Sequence, residues 1–274
     1  MASIPAKVAN RIAAGLKRFQ PILDAARARD ANESDTIIIV MDLLHEMFGH
    51  DKYSEITSEH AIRGTYCDLA IKIDGALALL IEVKAIGLDL KDQHIKQAVD
   101  YAANQGCEWV ALTNGAEWRA YKVSFTKPID QELVVQFNLS DLSPRKDEDL
   151  ELVWLLCKEG WQKARIGAYF QQRQALNRFT IGALLMSDTM VDILRRELRR
   201  ISPETRIDEE QIRVVLATEV LRREVLEGDK ADAAKKLVAR AAHRVLRKSE
   251  EEPELKAGVS SDAPQPLPAD PPKQ

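Results

Sequence analysis

Cysteine is scarce in this chain. Only Cys67, Cys107 and Cys157 occur, far apart and with no Cys-x-x-Cys pair. An odd, sparse set argues against a disulfide framework or a cysteine-built zinc site and fits a reducing, cytoplasmic setting. No apolar run reaches the roughly 18 residues that a membrane span needs. The opening stretch MASIPAKVANRIAAGLKRFQ has no apolar core followed by a small-residue cleavage site, so no secretory leader is expected. Its apolar and basic residues recur at helical spacing instead. A Gly-x-x-x-x-Gly-Lys-[Ser/Thr] loop is missing, so a nucleotide-driven motor would have to come from another protein. A basic excess is missing too. The net charge is −4, whereas non-specific nucleic-acid affinity comes largely from neutralising phosphates.

What is present is enough apolar material, 45% of 274 residues, to bury a core in one or two domains. Charge is unevenly spread. Lys7, Arg11, Lys17, Arg18, Arg27 and Arg29 face only Asp24 in residues 1–29, and Arg195, Arg196, Arg199 and Arg200 form a second basic group. Local patches of this kind permit DNA binding without demanding it.

Periodicity predicts one helix or two over 2–31, with Pro21 near a first turn. A second helix follows over Thr36–Phe48, capped by Asn32 or Ser34 and closed by Gly49. A strand over Tyr53–Ile62 comes next, ended by Gly64. Tyr66–Ile73 and Ala76–Lys84 then form a hairpin through Asp74-Gly75. A helix over Leu90–Gln105 stops at Gly106. Trp109–Thr113 and Trp118–Val123 pair through Asn114-Gly115, and Glu132–Phe137 adds an edge strand. Helix and strand alternate in a way that gives an α/β fold, a mixed sheet core flanked by helices. Beyond Asp141 the signal is helical, with Leu152, Leu155 and Leu156 on one helix and others over Ala183–Leu198, Asp208–Leu226 and Asp229–Lys248. The expected division is a helical segment 1–31, a core domain 32–141, an all-helical C-terminal domain 142–248 and a disordered tail 249–274, whose acidic, proline-rich composition cannot build a core.

The chemistry lies between Tyr66 and Tyr101. Hydrolysing a phosphodiester requires an activated water and compensation of the charge that develops on phosphate, and a divalent metal held by carboxylates provides both. Mg²⁺ takes oxygen ligands, commonly one or two carboxylates with waters and substrate phosphate. Asp68 and Glu82 on neighbouring strands form such a seat. Lys84, two residues beyond Glu82, points to the same side because strand side chains alternate, and the Val83 carbonyl between them is a further candidate ligand. Alternation turns Cys67 to the other face as a small core residue. Parity supplies a test. A strict two-residue turn at Asp74-Gly75 sets Asp68 across from Ile81, with Asp68 and Glu82 on opposite faces. An odd-length loop or one bulge is therefore required.

Asp68, thirteen residues, then Glu82-Val83-Lys84 resembles the PD-(D/E)XK nuclease signature, with Cys67 where that family often has proline. Gln97-Ala-Val-Asp-Tyr101 is similar to the Gln-x-x-x-Tyr element of its recombination-exonuclease branch. Asn32-Glu33-Ser34-Asp35-Thr36 and Thr113-Asn114-Gly115-Ala-Glu-Trp118 resemble flanking segments of type I restriction enzyme R subunit N-terminal domains and of the related stand-alone proteins called predicted type IV restriction endonucleases. The likeness covers roughly residues 30–125. It implies a restriction-endonuclease-like core in which Asp68 and Glu82 hold Mg²⁺, with Lys84 orienting water or stabilising charge. It further implies Glu33 as an auxiliary metal or supporting acid, and Gln97 and Tyr101 on the DNA backbone. His94, Gln97 and Tyr101 fall at i, i+3 and i+7 of one helix face, so His94 joins that surface.

An Asp with a Glu-x-Lys pair is by itself often a solvated ion pair on a strand. ALALLIEVK is too apolar for that, and an unpartnered buried charge is expensive. The resulting expectation is a Mg²⁺-dependent DNA endonuclease of a restriction type, acting alone as a homodimer or with a separate motor or specificity subunit. The alternative is a nuclease-fold module that binds DNA or docks a partner and cuts weakly. RNA remains open as substrate. His45, His50, His60 and His243 have no metal-like spacing, and Trp109 and Trp118 are expected to pack the sheet.

Overall fold

The computed structural model describes residues 4–62, 65–126 and 128–256, without the side chains of 59–66 and 243–256. Gly64, the side chains of His60 and His243, and residues 257–274 of the expected tail lie outside the described residues. The chain divides into two compact units, residues 1–170 and 171–274.

The first unit opens with α1 (Ala6–Ala28), one helix that runs through Pro21 rather than starting near it. An interior proline costs about 3 kcal/mol. Val8, Ile12, Leu16 and Phe19 before it, and Leu23 and Ala26 after it, are buried along one face, each large side chain contributing roughly 1.5–3 kcal/mol, so packing wins. Asn32 caps α2 (Glu33–Asp42), its Oδ1 accepting the Asp35 N–H at 2.9 Å. A π-helical turn, Leu43–Met47, extends α2 to Phe48, and Gly49 ends it at φ +82°. Arg11 donates to the Met47 and Phe48 carbonyls there and pairs with Glu159 at 2.6 Å.

Six strands form one sheet in the order of the chain: β1 (Ile56–Ile62), β2 (Thr65–Ile73), β3 (Ala76–Val83), β4 (Trp109–Thr113), β5 (Glu117–Ser124) and β6 (Asp130–Asn138). β1 starts three residues later than alternation predicts, because Asp51 Oδ1 accepts the N–H groups of Tyr53 and Ser54 and holds them in a turn. Neighbours are antiparallel except β3 and β4. That parallel pair needs a crossover, supplied by a 3₁₀ turn (Asp92–Ile95) and α3 (Lys96–Gln105), stopped by Gly106 at φ +68°. The predicted single helix over 90–105 is thus shorter, with a tighter first turn. Side chains on one face of the sheet (Leu69, Ile71, Leu79, Ile81, Val83) share a core with α1 and α2. Ala70, Leu80, Val110 and Leu112 pack with α3 on the other. Later helices in this unit are α4 (Asp147–Trp154), which ends before Leu155 and Leu156, and α5 (Lys158–Gln162), with α6 (Arg165–Ala175) beginning in it.

The second unit is helical: α7 (Arg178–Leu185), α8 (Asp188–Ile201), α9 (Glu209–Val215), α10 (Arg223–Leu226) and α11 (Asp229–Lys256). The helix predicted over 183–198 is broken at Met186-Ser187, where the Ser187 hydroxyl donates to the Leu184 carbonyl. The one predicted over 208–226 is broken by a π turn at Leu216–Val220 and by extended residues after it. Asp208 caps its start, exchanging hydrogen bonds with Gln211. Val191, Ile212 and Leu216 are the buried centre of a small cluster. α11 extends to Lys256, into the stretch read as tail. A mixed sheet in the middle of the chain, flanked by helices and followed by a helical C-terminal region, is the fold class that the sequence predicts.

His50 gives a stability prediction. It is fully buried, and its Nε2 donates to the Leu156 carbonyl at 3.1 Å. Burial holds its pKa below the ordinary histidine value, against the pull of Glu55 and Glu159. Because the folded value is depressed, the unfolded chain binds the extra proton first, and stability falls as pH drops below about 6.5. Urea unfolding at pH 5 and pH 7 should show this loss, and His50→Gln should flatten it. An unchanged slope in the variant would contradict a buried neutral imidazole.

Candidate metal centre

The site begins at the hairpin. Asp74 and Gly75 have φ of +51° and +81°, both positive as a two-residue type I′ turn requires. Beside the turn, Ile73↔Ala76 and Lys72↔Leu77 keep strict count. Beyond it the pairs become Ile71↔Leu79, Ala70↔Leu80 and Leu69↔Ile81. Ala78 is therefore an extra residue in β3, a bulge. One residue out of count is what parity required, and the paired register stops at Leu69↔Ile81, one step short of Asp68 and Glu82.

At that point the Asp68 carboxylate accepts the Val83 N–H at 2.7 Å, acting as a strand-like partner for β3. β3 stays on its other neighbour, since the Lys84 N–H donates to the Thr113 carbonyl at 2.8 Å. Glu82 is only 7% exposed, and Lys84 Nζ donates to its Oε1 at 2.7 Å. The same ammonium reaches Glu33 Oε2 at 3.4 Å. Glu33 is placed by the Asn32 cap of α2. Three carboxylates thus surround one ammonium, leaving a surplus of negative charge at the end of β3.

That charge is held partly out of water. Burial raises the Asp68 pKa; the Val83 N–H and Lys84 oppose the rise, and Glu33 adds to it. Burial likewise raises Glu82, opposed by the hydrogen bond from Lys84 and reinforced by Asp68 and Glu33. Burial would lower Lys84, but its bond to Glu82 and the attraction of all three acids leave it raised. A carboxyl whose folded pKa is raised contributes stability below the ordinary carboxylate range and loses it as pH rises through the folded value. At neutral pH the metal-free cluster is a liability. Asp68→Asn keeps an acceptor for the Val83 N–H, so it should raise the metal-free Tm by about 1–3 °C, given roughly 2–4 °C per kcal/mol for a chain of this size. A melt in EDTA checks this, and a lowered Tm would contradict it.

The donors suit a hard divalent cation: all are oxygens, two are desolvated carboxylates, and Mg²⁺ binds through one or two of these while keeping waters. Among the described residues no group of three or more His, Cys, Asp or Glu is placed to hold a metal ion. Of the acids that the sequence offers, Asp68 and Glu82 on β2 and β3 are the candidates to hold one, with Glu33 bonded to Lys84 beside them. Val83 contributes its N–H to Asp68, and its side chain is fully buried.

The remaining sequence-derived residues do not share one surface. Gln97 is exposed. Tyr101, expected on the DNA-facing side, is 1% exposed and packs in the α3 core with Cys67, Leu80 and Leu112. Ala98, Val99, Tyr101 and Ala102 are the residues that α3 buries, a stripe that takes in Tyr101 and leaves out Gln97. His94 is half-buried, its Nδ1 accepting the Lys91 N–H at 3.1 Å. It serves the 3₁₀ turn. Cys67 is fully buried, its thiol pushed up to about 12 by burial, so it is inert core. Sequence reasoning passed over Thr36 and Asn114. Both are buried polar residues in the segments quoted for family likeness, but neither titrates nor ligates, so residue type gave no signal.

No helix among the described residues is long and apolar enough to cross a membrane. No curated protein and no solved structure matches the chain. Residues 50–135, just under a third of the chain, match the family described as type I restriction enzyme R protein N terminus. Asp68, Glu82, Lys84, Gln97 and Tyr101 fall inside the matched segment and Glu33 outside it.

Proposed function

We propose that this chain is a Mg²⁺-dependent nuclease of the PD-(D/E)XK type that hydrolyses DNA phosphodiesters in a restriction system. The observation that carries the reading is Lys84 bonded to Glu82 and Glu33 at the end of a bulged strand, with the Asp68 carboxylate on the Val83 N–H beside them. When bound, the cation supplies Lewis acidity and charge compensation at the phosphate. Asp68 and Glu82 would hold it, and a cation there would offset the desolvation of both carboxylates. Lys84 keeps its proton and turns its ammonium from Glu82 toward the phosphate, where negative charge grows as water adds to phosphorus and the bond to the leaving oxygen breaks. Glu33 steadies Lys84 between turnovers. Gln97, exposed at the start of α3, would meet the DNA backbone. A translocating or specificity subunit, or a second copy for the opposite strand, would complete a restriction enzyme.

A second reading, a nuclease-fold module that binds DNA or docks a partner with little cutting, draws support from Tyr101, which the fold withdraws from the surface. Incubating supercoiled plasmid, modified and unmodified, with the protein in Mg²⁺ or EDTA decides between them. Mg²⁺-dependent nicking supports the nuclease. Absence of cutting with every divalent metal supports the module.

A further inference from the structure

We infer that Thr36 is the positioning residue of the site, joining the helix that carries Glu33 to the strand that carries Glu82 and Lys84; the inference rests on the nuclease reading for its consequence, but not for its geometry. Thr36 is fully buried in the first turn of α2. Its hydroxyl donates to the Asn32 carbonyl at 2.7 Å and accepts the Ile86 N–H at 3.1 Å. The first bond ties it to the residue that caps α2 immediately before Glu33. The second reaches the backbone two residues beyond Lys84. One hydroxyl thus connects both sides of the Glu33–Lys84 pair.

The backbone around that link is fixed on its other side as well. The Lys84 N–H is held by the Thr113 carbonyl at 2.8 Å, and the Leu88 carbonyl accepts from Asn114 Nδ2 at 3.0 Å. The exit of β3 is therefore tied to β4 at both ends of Lys84–Leu88, and to α2 through the Thr36 hydroxyl at Ile86. Valine has nearly the shape of threonine but no hydroxyl. It leaves the Ile86 N–H buried without this acceptor, a cost of about 1–3 kcal/mol that the chain relieves by moving α2 or the β3 exit. Either movement separates Glu33 from Lys84. Serine keeps the hydroxyl and both bonds.

The test has two arms. In metal-free protein, a double-mutant cycle of Glu33→Gln and Lys84→Met is measured by urea unfolding in wild-type, Thr36→Val and Thr36→Ser backgrounds. The expected coupling is about 2- to 5-fold in the unfolding equilibrium in the wild-type and serine backgrounds, the range of a partly exposed pair, and none in the valine background. In the second arm, plasmid cleavage in saturating Mg²⁺ should fall about 5-fold in Thr36→Val, stay within 2-fold of wild type in Thr36→Ser, and be insensitive to Thr36→Val once Glu33→Gln is present. Undiminished Glu33–Lys84 coupling in the valine background overturns the inference. So does an equal effect of Thr36→Val with and without Glu33. If wild type does not cleave in Mg²⁺, the nuclease reading fails, and the first arm still decides whether Thr36 positions the pair.

Discussion

Asp68→Asn is expected to cleave plasmid DNA on the order of 10³-fold more slowly than wild type in saturating Mg²⁺, while its fold is intact or firmer. The two effects have one origin. Asp68 is a carboxylate whose ionised form the fold disfavours, because burial removes water from it and Glu33 lies close. Its retention as an acid makes physical sense where a cation repays the desolvation. Losing one preorganised charged group at such a centre typically removes a factor of about 10²–10³ in rate, and here the cation's anchorage is weakened as well. Lys84→Ala should fall about 10²-fold or more while retaining Mg²⁺ binding, since the ammonium acts on phosphate and not on the cation. A variant that is more stable and inactive is the signature of a site held against stability. Cleavage within 10-fold of wild type by Asp68→Asn would remove Asp68 from the chemistry.

Trp118→Ala should cost about 3–5 kcal/mol, the usual loss for truncating a buried tryptophan, against a total stability of about 5–15 kcal/mol. The indole is fully buried, donates from Nε1 to the Gly115 carbonyl at 3.0 Å, and meets Phe48 edge-to-face at 4.9 Å between centroids. Phe48 closes the extension of α2, so this contact fixes one end of the helix whose other end carries Glu33. Urea unfolding measures the loss, and Trp118→Phe should recover more than half of it. A loss below about 1.5 kcal/mol for alanine would mean that α2 is held elsewhere.

The hairpin was legible because period-2 alternation and the Asp-Gly turn are local signals. Even the bulge was legible, since Asp68 and Glu82 could share a face only if one residue were out of count; that the extra residue is Ala78 was not, because nothing local marks it. α1 exceeded expectation because Pro21 is a local penalty set against a stripe of buried side chains on both sides. Tyr101 misled for the opposite reason. Helical spacing places Gln97 and Tyr101 together, but which arc of the helix turns to the sheet decides which of the two is covered, and that is a tertiary fact. The breaks at Ser187 and after Leu216 were hidden in the same way, inside sequences whose apolar period continues across them. Thr36 was invisible as a functional candidate because a hydroxyl that joins two backbones looks like any other threonine inside an apolar run.

Crystals of the protein soaked in Mn²⁺ and measured at its absorption edge test the central claim most directly. The expected result is one anomalous peak between the carboxylates of Asp68 and Glu82, with Lys84 Nζ released from Glu82. A map with no peak there, and Lys84 still bonded to Glu82 and Glu33, would contradict a metal centre at this strand.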